Sequence, residues 1–583
     1  MLSDFKNYIV TINEFFLLVP NLNIFLLRIV FISLVSVLAT ISELFNISFI
    51  FLVISQTISP IENFFLNDYF IKYFSINFRE ISHLYIILIL IFMIFLSIFL
   101  RILSLKINVN IARSLSLKVE NNIYKKFLNT KYNSILSIES SEIIATLSIR
   151  IWGTVAGMVI PLINIISYSV SLLIIFLPLG YFYTLELFFS SILIITYFIV
   201  TIFFLNKKLK TYGFNISEAY EKNIALIHDS FHGFREIFFF QASRSYIKRF
   251  NKNIKNLRSS QAEVIFLSIL PRLLLELLAM ILLVVGIYSI VNFTMISEVE
   301  LIAFLGILVF SLLKIMPFIN MIYTSTSQII ATHENTKMVI KLSKSFKERV
   351  KNDEFENHEI LDFEKIELSK VSFRYPNSNL NALSEINFIL QKGDCVAISG
   401  ESGSGKSTLI SVISTLLEPT DGEIKINGKY LKNENINLFR NSISYLGQST
   451  YLMEGLSVAE NITLGSVEKI DFQKMKEISK MVNINSFIET LPKKYNEIVG
   501  SGRREFSGGQ KQRIAISRSL YHSKKIYIFD EATSALDEDN KTKIIQIIKI
   551  LKSSGFTILI VSHDKDLLDI CNRTIKIKDG LLI

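Results

Sequence analysis

Cysteine is nearly absent from this sequence, whose 583 residues include two, Cys395 and Cys571, in unrelated sequence contexts. Two isolated cysteines indicate neither a disulfide framework nor a cysteine-based zinc site. We therefore expect each of them to behave as a small buried hydrophobe. The amino end also lacks the features of a signal peptide, since MLSDFKNYIV has no basic stretch leading into a short apolar core. The first apolar segment is expected to stay in the protein as a membrane anchor.

Charged residues are few, at 19% of the chain, and half of all residues are hydrophobic. Such a balance is rare in soluble domains and indicates a membrane protein. The apolar residues are concentrated in the first part of the chain, and polar residues return after it. The pattern predicts a transmembrane domain over 1–340, a linker over 341–360 and a soluble domain over 361–583.

The net charge of +10 raises the question of a nucleic-acid partner. In the first half, however, the basic residues stand between apolar segments, where the tendency of cytoplasmic loops to carry Lys and Arg explains them. We therefore expect membrane lipid, and no nucleic acid, as a partner of this chain.

A bilayer crossing needs about 20 mostly apolar helical residues. Six segments meet this requirement, at residues 24–57, 83–104, 155–180, 184–206, 264–291 and 300–331. Residues 3–20 are amphipathic and end at Pro20, which is typical of an interfacial helix ahead of the first span.

The connections after the second and fourth spans are rich in Lys and Arg, whereas residues 177–186 and 292–300 contain neither. This asymmetry predicts that both basic connections and both chain termini are cytoplasmic. The connections also have helical composition. We expect the spans to continue as helices below the membrane, joined by short crosswise helices near 131–141 and 222–234 that contact the soluble domain.

The second half alternates strand-like and helical segments, as an α/β domain does. The strand-like CVAIS at 395–399 leads into GESGSGKST and then a helical stretch. This strand, glycine-rich loop and helix form the setting of a phosphate-binding loop. Lys406 would pair with the β- and γ-phosphates of ATP, and Ser407 would bind Mg²⁺.

Two further strand-like runs end in residues that can bind a metal ion or transfer a proton. IYIFDE ends in Asp530 and Glu531, and ILIVSHD contains His563. In a domain with a phosphate loop, Asp530 is placed to hold Mg²⁺ and Glu531 to polarise the attacking water. His563 is expected to sense or stabilise charge on the transferring phosphate.

These motifs, in this order, resemble those of ABC transporters of the exporter type, with a six-helix all-α transmembrane domain followed by an α/β P-loop ATPase domain. The resemblance implies that ATP and Mg²⁺ are the cofactors. It implies that Tyr375 stacks on adenine, that Gln448 links Mg²⁺ to the membrane-domain contacts and that Asp537 lies in the D-loop. The expected phosphate-loop residues are Gly400, Gly403, Ser404, Gly405, Lys406, Ser407 and Thr408.

SGGQ at 507–510 resembles the signature loop of the same family. The resemblance implies that Ser507, Gly508, Gly509 and Gln510 contact the nucleotide of a second subunit, so that two domains enclose two ATP molecules. The expected partner is a second copy of this chain or a homologous half-transporter. Phe506 stands where the family usually has Leu, and Ser501 where it has Glu. Coupling to the membrane domain is therefore expected to rely on Arg503, Arg504 or Glu505.

Segments 233–250, 270–280 and 317–329 resemble lipid-linked oligosaccharide flippases of bacterial protein glycosylation. An anionic lipid-linked substrate would need basic groups along the cavity, which Lys314, Arg272 and Arg101 would supply. Export of another lipid, a drug or a peptide remains an alternative, as does an ATP-gated regulator. The lack of a transit-like amino end and the composition rich in Ile, Lys and Asn favour the bacterial inner membrane.

Replacing Glu531 with Gln is expected to preserve ATP binding and to slow hydrolysis severely, because the attacking water loses its polarising carboxylate. ATP binding and phosphate release measured on the same preparation test this role. Near-normal turnover in the variant would contradict it.

Overall fold

The computed structural model of this protein describes residues 2–58, 83–182, 184–293, 298–347, 360–376, 378–432, 435–448, 450–464, 470–500, 506–531 and 538–583. The chain divides into two compact units. The first contains residues 1–128 and 138–346, and the second contains residues 129–137 and 347–583.

The described part of the first unit is helical. Its helices are α1 (Leu2–Phe16), α2 (Leu22–Ile58), α3 (His83–Leu128), α5 (Ser140–Ala145), α6 (Ile151–Thr154), α7 (Ile160–Phe182), α8 (Thr184–His232), α9 (Phe234–Phe239), α10 (Ser243–Phe293) and α11 (Glu298–Ser345), and α4 (Tyr132–Ile135) belongs to the second unit. Two π-helical turns, Thr146–Arg150 and Val155–Val159, join α5, α6 and α7.

All six predicted spans are helical. Among the described residues, three helical segments are long and apolar enough to cross a bilayer, judged by length and composition: Leu22–Asn46, Ile87–Leu128 and Ser140–Ile175. Helices extend well past the predicted spans, as expected. The helix α3 ends at Leu128, and α8 ends at His232.

The expected crosswise helices are only partly present. The short helix α4 lies within the first predicted segment. The second prediction is wrong in position, since residues 222–232 continue α8 and the chain turns at Gly233 ahead of α9. The residues before Gly233 are mostly good helix formers, and Lys222 Nζ lies 2.6 Å from Glu218 Oε1 one turn earlier. These local preferences carry the helix beyond the point where we expected it to turn.

The helices of the first unit approach each other closely at two glycines. A Cβ on Gly213 of α8 would lie 2.1 Å from the carbonyl oxygen of Ala331 in α11. A Cβ on Gly157 would lie equally close to Thr332. Close approach of backbones at small residues is a common way for apolar helices to gain packing contacts.

The second unit contains two sheets. Its strands are β1 (Lys365–Phe373), β2 (Leu383–Gln391), β3 (Cys395–Gly400), β4 (Asp421–Ile426), β5 (Lys429–Tyr430), β6 (Ile443–Leu446), β7 (Ile526–Asp530), β8 (Thr557–Val561), β9 (Arg573–Lys578) and β10 (Leu581–Leu582). One sheet is antiparallel with order β2-β1-β4-β5. The other has order β10-β9-β3-β8-β7-β6 and is parallel from β9 to β6.

Helices surround these sheets. They are α12 (Lys406–Ile413), α13 (Ile436–Asn441), α14 (Val458–Ile462), α15 (Phe472–Met481), α16 (Asn485–Glu489), α17 (Gly508–Tyr521), α18 (Glu538–Ser553) and α19 (Lys565–Leu568), with a 3-10 turn at Lys494–Asn496. The buried strands β7 and β8 are entirely apolar apart from Asp530 and Thr557. Parallel strands covered on both faces typically have this composition. The all-α and α/β fold classes expected from the sequence are therefore both present.

Residues 129–137, from the connection after α3, pack with the second unit. Lys131 Nζ lies 2.8 Å from Glu418 Oε2, and the Lys131 backbone N–H donates to the carbonyl of Lys347. Both ion-pair side chains are partly exposed, so we expect the pair to orient α4 more than to stabilise it.

Candidate nucleotide site

The register of the parallel sheet brings the predicted catalytic residues to one edge. Asp530 pairs with Val561 across β7 and β8, and Ile398 pairs with Val561 across β3 and β8. Leu446 of β6 pairs with Phe529 of β7. One or two residues beyond these pairs, the chain reaches Gly400, Gln448, Glu531 and His563. The carboxyl edge of a parallel sheet is where α/β proteins place their ligand sites.

The phosphate loop has the backbone its glycines require. Gly405 caps α12 with a φ of 108°, and a Cβ there would lie 2.7 Å from the carbonyl oxygen of Ala382. Gly400 has a φ of 156°, and its Cβ would lie 2.3 Å from the carbonyl oxygen of Ile577. Lys406 is buried, and its ammonium group donates to the carbonyls of Gly400 and Glu401. The loop thus holds a positive charge at the start of a helix, the arrangement that binds phosphate.

The residues at Asp530 fit a Mg²⁺ ion. Its Oδ1 atom is buried and, within the described part of the chain, has no hydrogen-bond partner. Burial, followed by the charge of Glu531, raises the carboxyl pKa, whereas hydrogen bonding with Ser407 and Tyr445 lowers it. A hard cation would meet the oxygen ligands it prefers in Asp530 and Ser407. When bound, Mg²⁺ would neutralise charge on the phosphates.

Glu531 is held in a strained position next to Gln448. The Gln448 side-chain amide donates to Glu531 Oε2 at 2.8 Å, and the Glu531 backbone N–H donates to the Val561 carbonyl. Glu531 has a φ of 50°, in the left-handed region that costs energy for a residue with a side chain. Strain of this kind often accompanies a functional site, and here the neighbouring strand and Gln448 maintain it.

Tyr375 lies beside the phosphate loop. Its hydroxyl oxygen is 3.1 Å from Thr408 Oγ1 in α12, and its ring packs edge-on against Phe373. The side chain is exposed. These contacts leave an aromatic surface next to the loop, where a nucleotide base could stack.

The signature residues are arranged as a capped helix start. Ser507 Oγ accepts from the Gln510 N–H, and Gln510 Oε1 accepts from the Ser507 N–H at 2.9 Å. Ser507 and Gly508 are exposed, whereas Phe506 is buried edge-on against Phe487. Phe506 therefore packs beneath the loop.

His563 follows β8 and is exposed. The next residue, Asp564, accepts from Lys541 Nζ at 2.7 Å through Oδ2 and from the Asp566 N–H through Oδ1. Lys541 belongs to the first turns of α18, so this pair connects α18 to the residue beside His563. Both side chains are partly exposed, at 18% and 19%, so we expect the pair to position the Asp564 segment more than to stabilise the fold.

Three residues of this region, Tyr445, Lys541 and Asp564, were not among the sequence predictions. The Tyr445 hydroxyl donates to Asp530 Oδ2 at 3.4 Å, and burial raises the pKa of this tyrosine. Tyr445 lies three residues before Gln448, on a strand that ends at the site, which was an available signal. Lys541 lies outside the motifs, and Asp564, although it follows His563, carried no signal that it would pair with Lys541.

The structure gives acidic neighbours to two of the three cavity candidates. Arg101 donates to Glu43, which is buried, and its guanidinium lies 5.0 Å from the centre of the Phe318 ring. Arg272 donates to Glu276 at 2.8 Å. Arg272 and Glu276 also line a small cavity of about 20 Å³, which has room for about one water molecule.

Some predicted residues lie outside the part of the chain that the structure describes. They are Asp537, the side chain of Lys314, and residues 501–505 with Ser501, Arg503, Arg504 and Glu505.

The two sheets, the phosphate loop and the acidic edge define a P-loop ATPase domain joined to a helical unit. Residues 383–534 match the family described as ABC transporter. The second unit is therefore an ABC transporter nucleotide-binding domain, which confirms the resemblance for this part of the chain. ATP is the nucleotide that such a domain binds.

The curated relatives match over little more than a third of the chain. ABC transporter B family member 13 of Arabidopsis thaliana is 37% identical over 216 residues, 37% of this chain and 17% of that protein. An ATP-dependent lipid A-core flippase of Alkalilimnicola ehrlichii is 35% identical over 218 residues, 37% of each chain. The match thus spans well under two thirds of either relative.

A solved structure extends the similarity of fold to nearly the whole chain. A bacterial Atm1-family ABC exporter with ATP bound matches with a TM-score of 0.78, covering 96% of this chain and 94% of that one. The sequence identity is 17%, so the match shows the fold alone. This chain therefore has the fold of that exporter over both its helical unit and its α/β unit.

Replacing Lys541 with Met is expected to lower kcat for ATP hydrolysis by about tenfold with little change in KM, because Asp564 loses the contact that orients the His563 segment. Lys543→Met is the matched control, since Lys543 is exposed two residues further along the same helix. Steady-state kinetics on both variants measure the effect. Equal behaviour of the two variants would exclude a positioning role for Lys541, and recovery in Lys541→Arg would support it.

Proposed function

We propose that this chain is one half of an ATP-driven exporter that moves an amphiphilic substrate across a membrane by alternating access. The observation that carries the proposal is the assembly of Lys406, Asp530, Glu531, Gln448 and His563 at one sheet edge of a chain with an exporter fold. A complete hydrolytic set favours an active transporter over an ATP-gated regulator.

In this proposal each residue has a defined task. Lys406 would turn from its carbonyl partners to the β- and γ-phosphates, and Tyr375 would cover the base. Asp530, Ser407 and Gln448 would hold Mg²⁺, and Glu531 would orient the attacking water. His563 would contact the transferring phosphate, and Asp537 would lie at the junction between subunits.

The exposed signature loop supports a dimeric working unit. Ser507 and Gln510 hydrogen-bond to each other, and the exposed start of α17 presents a positive helix end to a partner. We propose that this loop completes the nucleotide site of a second copy of the chain or of a homologous half-transporter. ATP binding would then close the two domains, and hydrolysis would let them separate.

The proposed substrate is a lipid, and more specifically a lipid-linked oligosaccharide or polysaccharide precursor. The name of the flippase relative supports lipid as the class. Lys314, Arg272 and Arg101 are still proposed to line the cavity. Because Arg101 and Arg272 already have carboxylate partners, an anionic head group would have to compete with Glu43 and Glu276. Another lipid, a drug or a peptide is the second candidate.

The proposed location is the bacterial inner membrane with both termini cytoplasmic. The basic connections of the first half support this orientation.

ATP hydrolysis in lipid nanodiscs, with Glu531→Gln as the inactive control, tests the substrate. Stimulation several-fold above the basal rate by a pyrophosphate-linked glycan lipid, and not by drugs, would support the lipid-linked oligosaccharide. Stimulation by lipids without a glycan would favour the other lipid exporters. ATP-dependent movement of the stimulating lipid across the bilayer of proteoliposomes is the deciding measurement, and binding of ATP without any movement would favour a regulator.

A mixture of two inactive variants tests the shared nucleotide site. Lys406→Ala removes the phosphate-loop charge, and Ser507→Arg blocks the signature loop, so each variant alone should be inactive. A co-expressed mixed dimer should recover measurable ATP hydrolysis, because one of its two sites combines the intact loops of both chains.

A double variant carrying both changes, co-expressed with the Glu531→Gln variant, is the control and should stay inactive. Failure of the mixture to recover activity, in a preparation shown to contain mixed dimers, would contradict sharing of the site between chains.

A further inference from the structure

The two cysteines of the chain are neighbours in the folded ATPase domain. Cys395 is the first residue of β3 and is fully buried, whereas Cys571 lies just before β9 and is partly exposed. Their sulfur atoms are 3.1 Å apart although 176 residues separate them in the chain. The sequence interpretation of two unrelated small hydrophobes therefore misses their proximity.

The sheet holds this pair in place. The Asn572 N–H donates to the Cys395 carbonyl at 2.8 Å, and Val396 pairs with Arg573 in the next step of the parallel register. The Cys571 thiol also approaches the carbonyl oxygen of Leu567 at 3.6 Å. Cys395 is held by strand pairing, and Cys571 is held by the Asn572 contact and by its own N–H, which donates to the Leu568 carbonyl, so the two sulfur atoms are kept close together in the folded domain.

The electrostatic environment favours ionisation at one of the two sulfurs. Hydrogen bonding with Cys571 lowers the pKa of Cys395, while the same contact and burial raise the pKa of Cys571. The charge of Lys552, which donates to the Ile570 carbonyl close by, adds to the lowering of the Cys395 pKa and opposes the rise at Cys571. A thiolate formed at either sulfur would keep the hydrogen bond of the other thiol, and a thiolate is the reactive form of cysteine.

We propose that Cys395 and Cys571 form a redox-sensitive dithiol that a hydroperoxide converts to an intrachain disulfide. One thiolate attacks the peroxide O–O bond and becomes a sulfenic acid, releasing water or an alcohol. The second thiol then attacks that sulfur and displaces the hydroxyl group as water. Two electrons pass from the sulfur pair to the peroxide, and a reducing dithiol restores both thiols by exchange.

The disulfide would join the first residue of β3 to the chain just before β9. This end of β3 is far from the phosphate loop. The loop begins at the other end of this strand, where Gly580 donates its N–H to the Ser404 carbonyl. The cross-link would therefore stabilise the strand pair behind the nucleotide site without touching the nucleotide. Reduced thiols are the expected resting state in a cytoplasmic domain.

The test uses the full-length protein in detergent or nanodiscs, treated with hydrogen peroxide and then with dithiothreitol. Thiols titrated after denaturation should fall from two to none per chain on oxidation and return to two on reduction. Peptide mass spectrometry should find the 395–571 link. The unfolding transition of the ATPase domain should shift upward by a few degrees in the oxidised protein.

Two variants serve as controls, Cys571→Ser at the partly exposed position and Cys395→Ala at the buried one. Either should keep one titratable thiol and show no upward shift after peroxide. Retention of both thiols in the wild-type protein under peroxide would overturn the proposal. Disulfides between chains on a non-reducing gel, or higher oxidation of single cysteines in place of the link, would overturn it as well. None of these outcomes bears on whether the protein transports a lipid.

Discussion

The nucleotide site depends on the register of four parallel strands, β6, β7, β8 and β3. Each strand leaves the sheet at the same edge, and each carries a residue of the site just beyond its end. Moving one strand by a single residue would turn its side chains to the opposite face. Because β7 and β8 are buried on both faces, such a shift would exchange side chains of different size within a closely packed core. The packing that fixes the strands of the sheet therefore also fixes the positions of the site residues.

Two residues at the same edge, Asp530 and Glu531, are held in energetically unfavourable conditions. Asp530 is buried with one oxygen lacking a hydrogen bond among the described residues, and Glu531 has a left-handed backbone. Both features cost free energy in the isolated chain. A cation and a nucleotide would recover part of it, so binding and stability are linked at this edge. In the helical unit, by contrast, the buried carboxylate of Glu43 already has Arg101 as its partner.

Much of the architecture could be predicted, because its signals are local. The helices that contain the six spans follow from long apolar runs, and the loop around Lys406 follows from a glycine pattern between a strand and a helix. The prediction for residues 222–234 was wrong, because helix formers and the pair Glu218–Lys222 extend α8 to His232. Gly233 was the local signal for the turn. Composition alone did not show that the helix would continue up to this glycine.

The sequence by itself determined the fold classes, the order of the motifs and which lysine and acidic residues are candidates for the site, since each depends on neighbours along the chain. Only the tertiary structure decided which distant residues meet. It paired Arg101 with Glu43, joined Lys541 to Asp564 and brought Cys395 within 3.1 Å of Cys571. Such contacts are set by strand register and helix packing over long separations, and a single sequence contains no local pattern that records them.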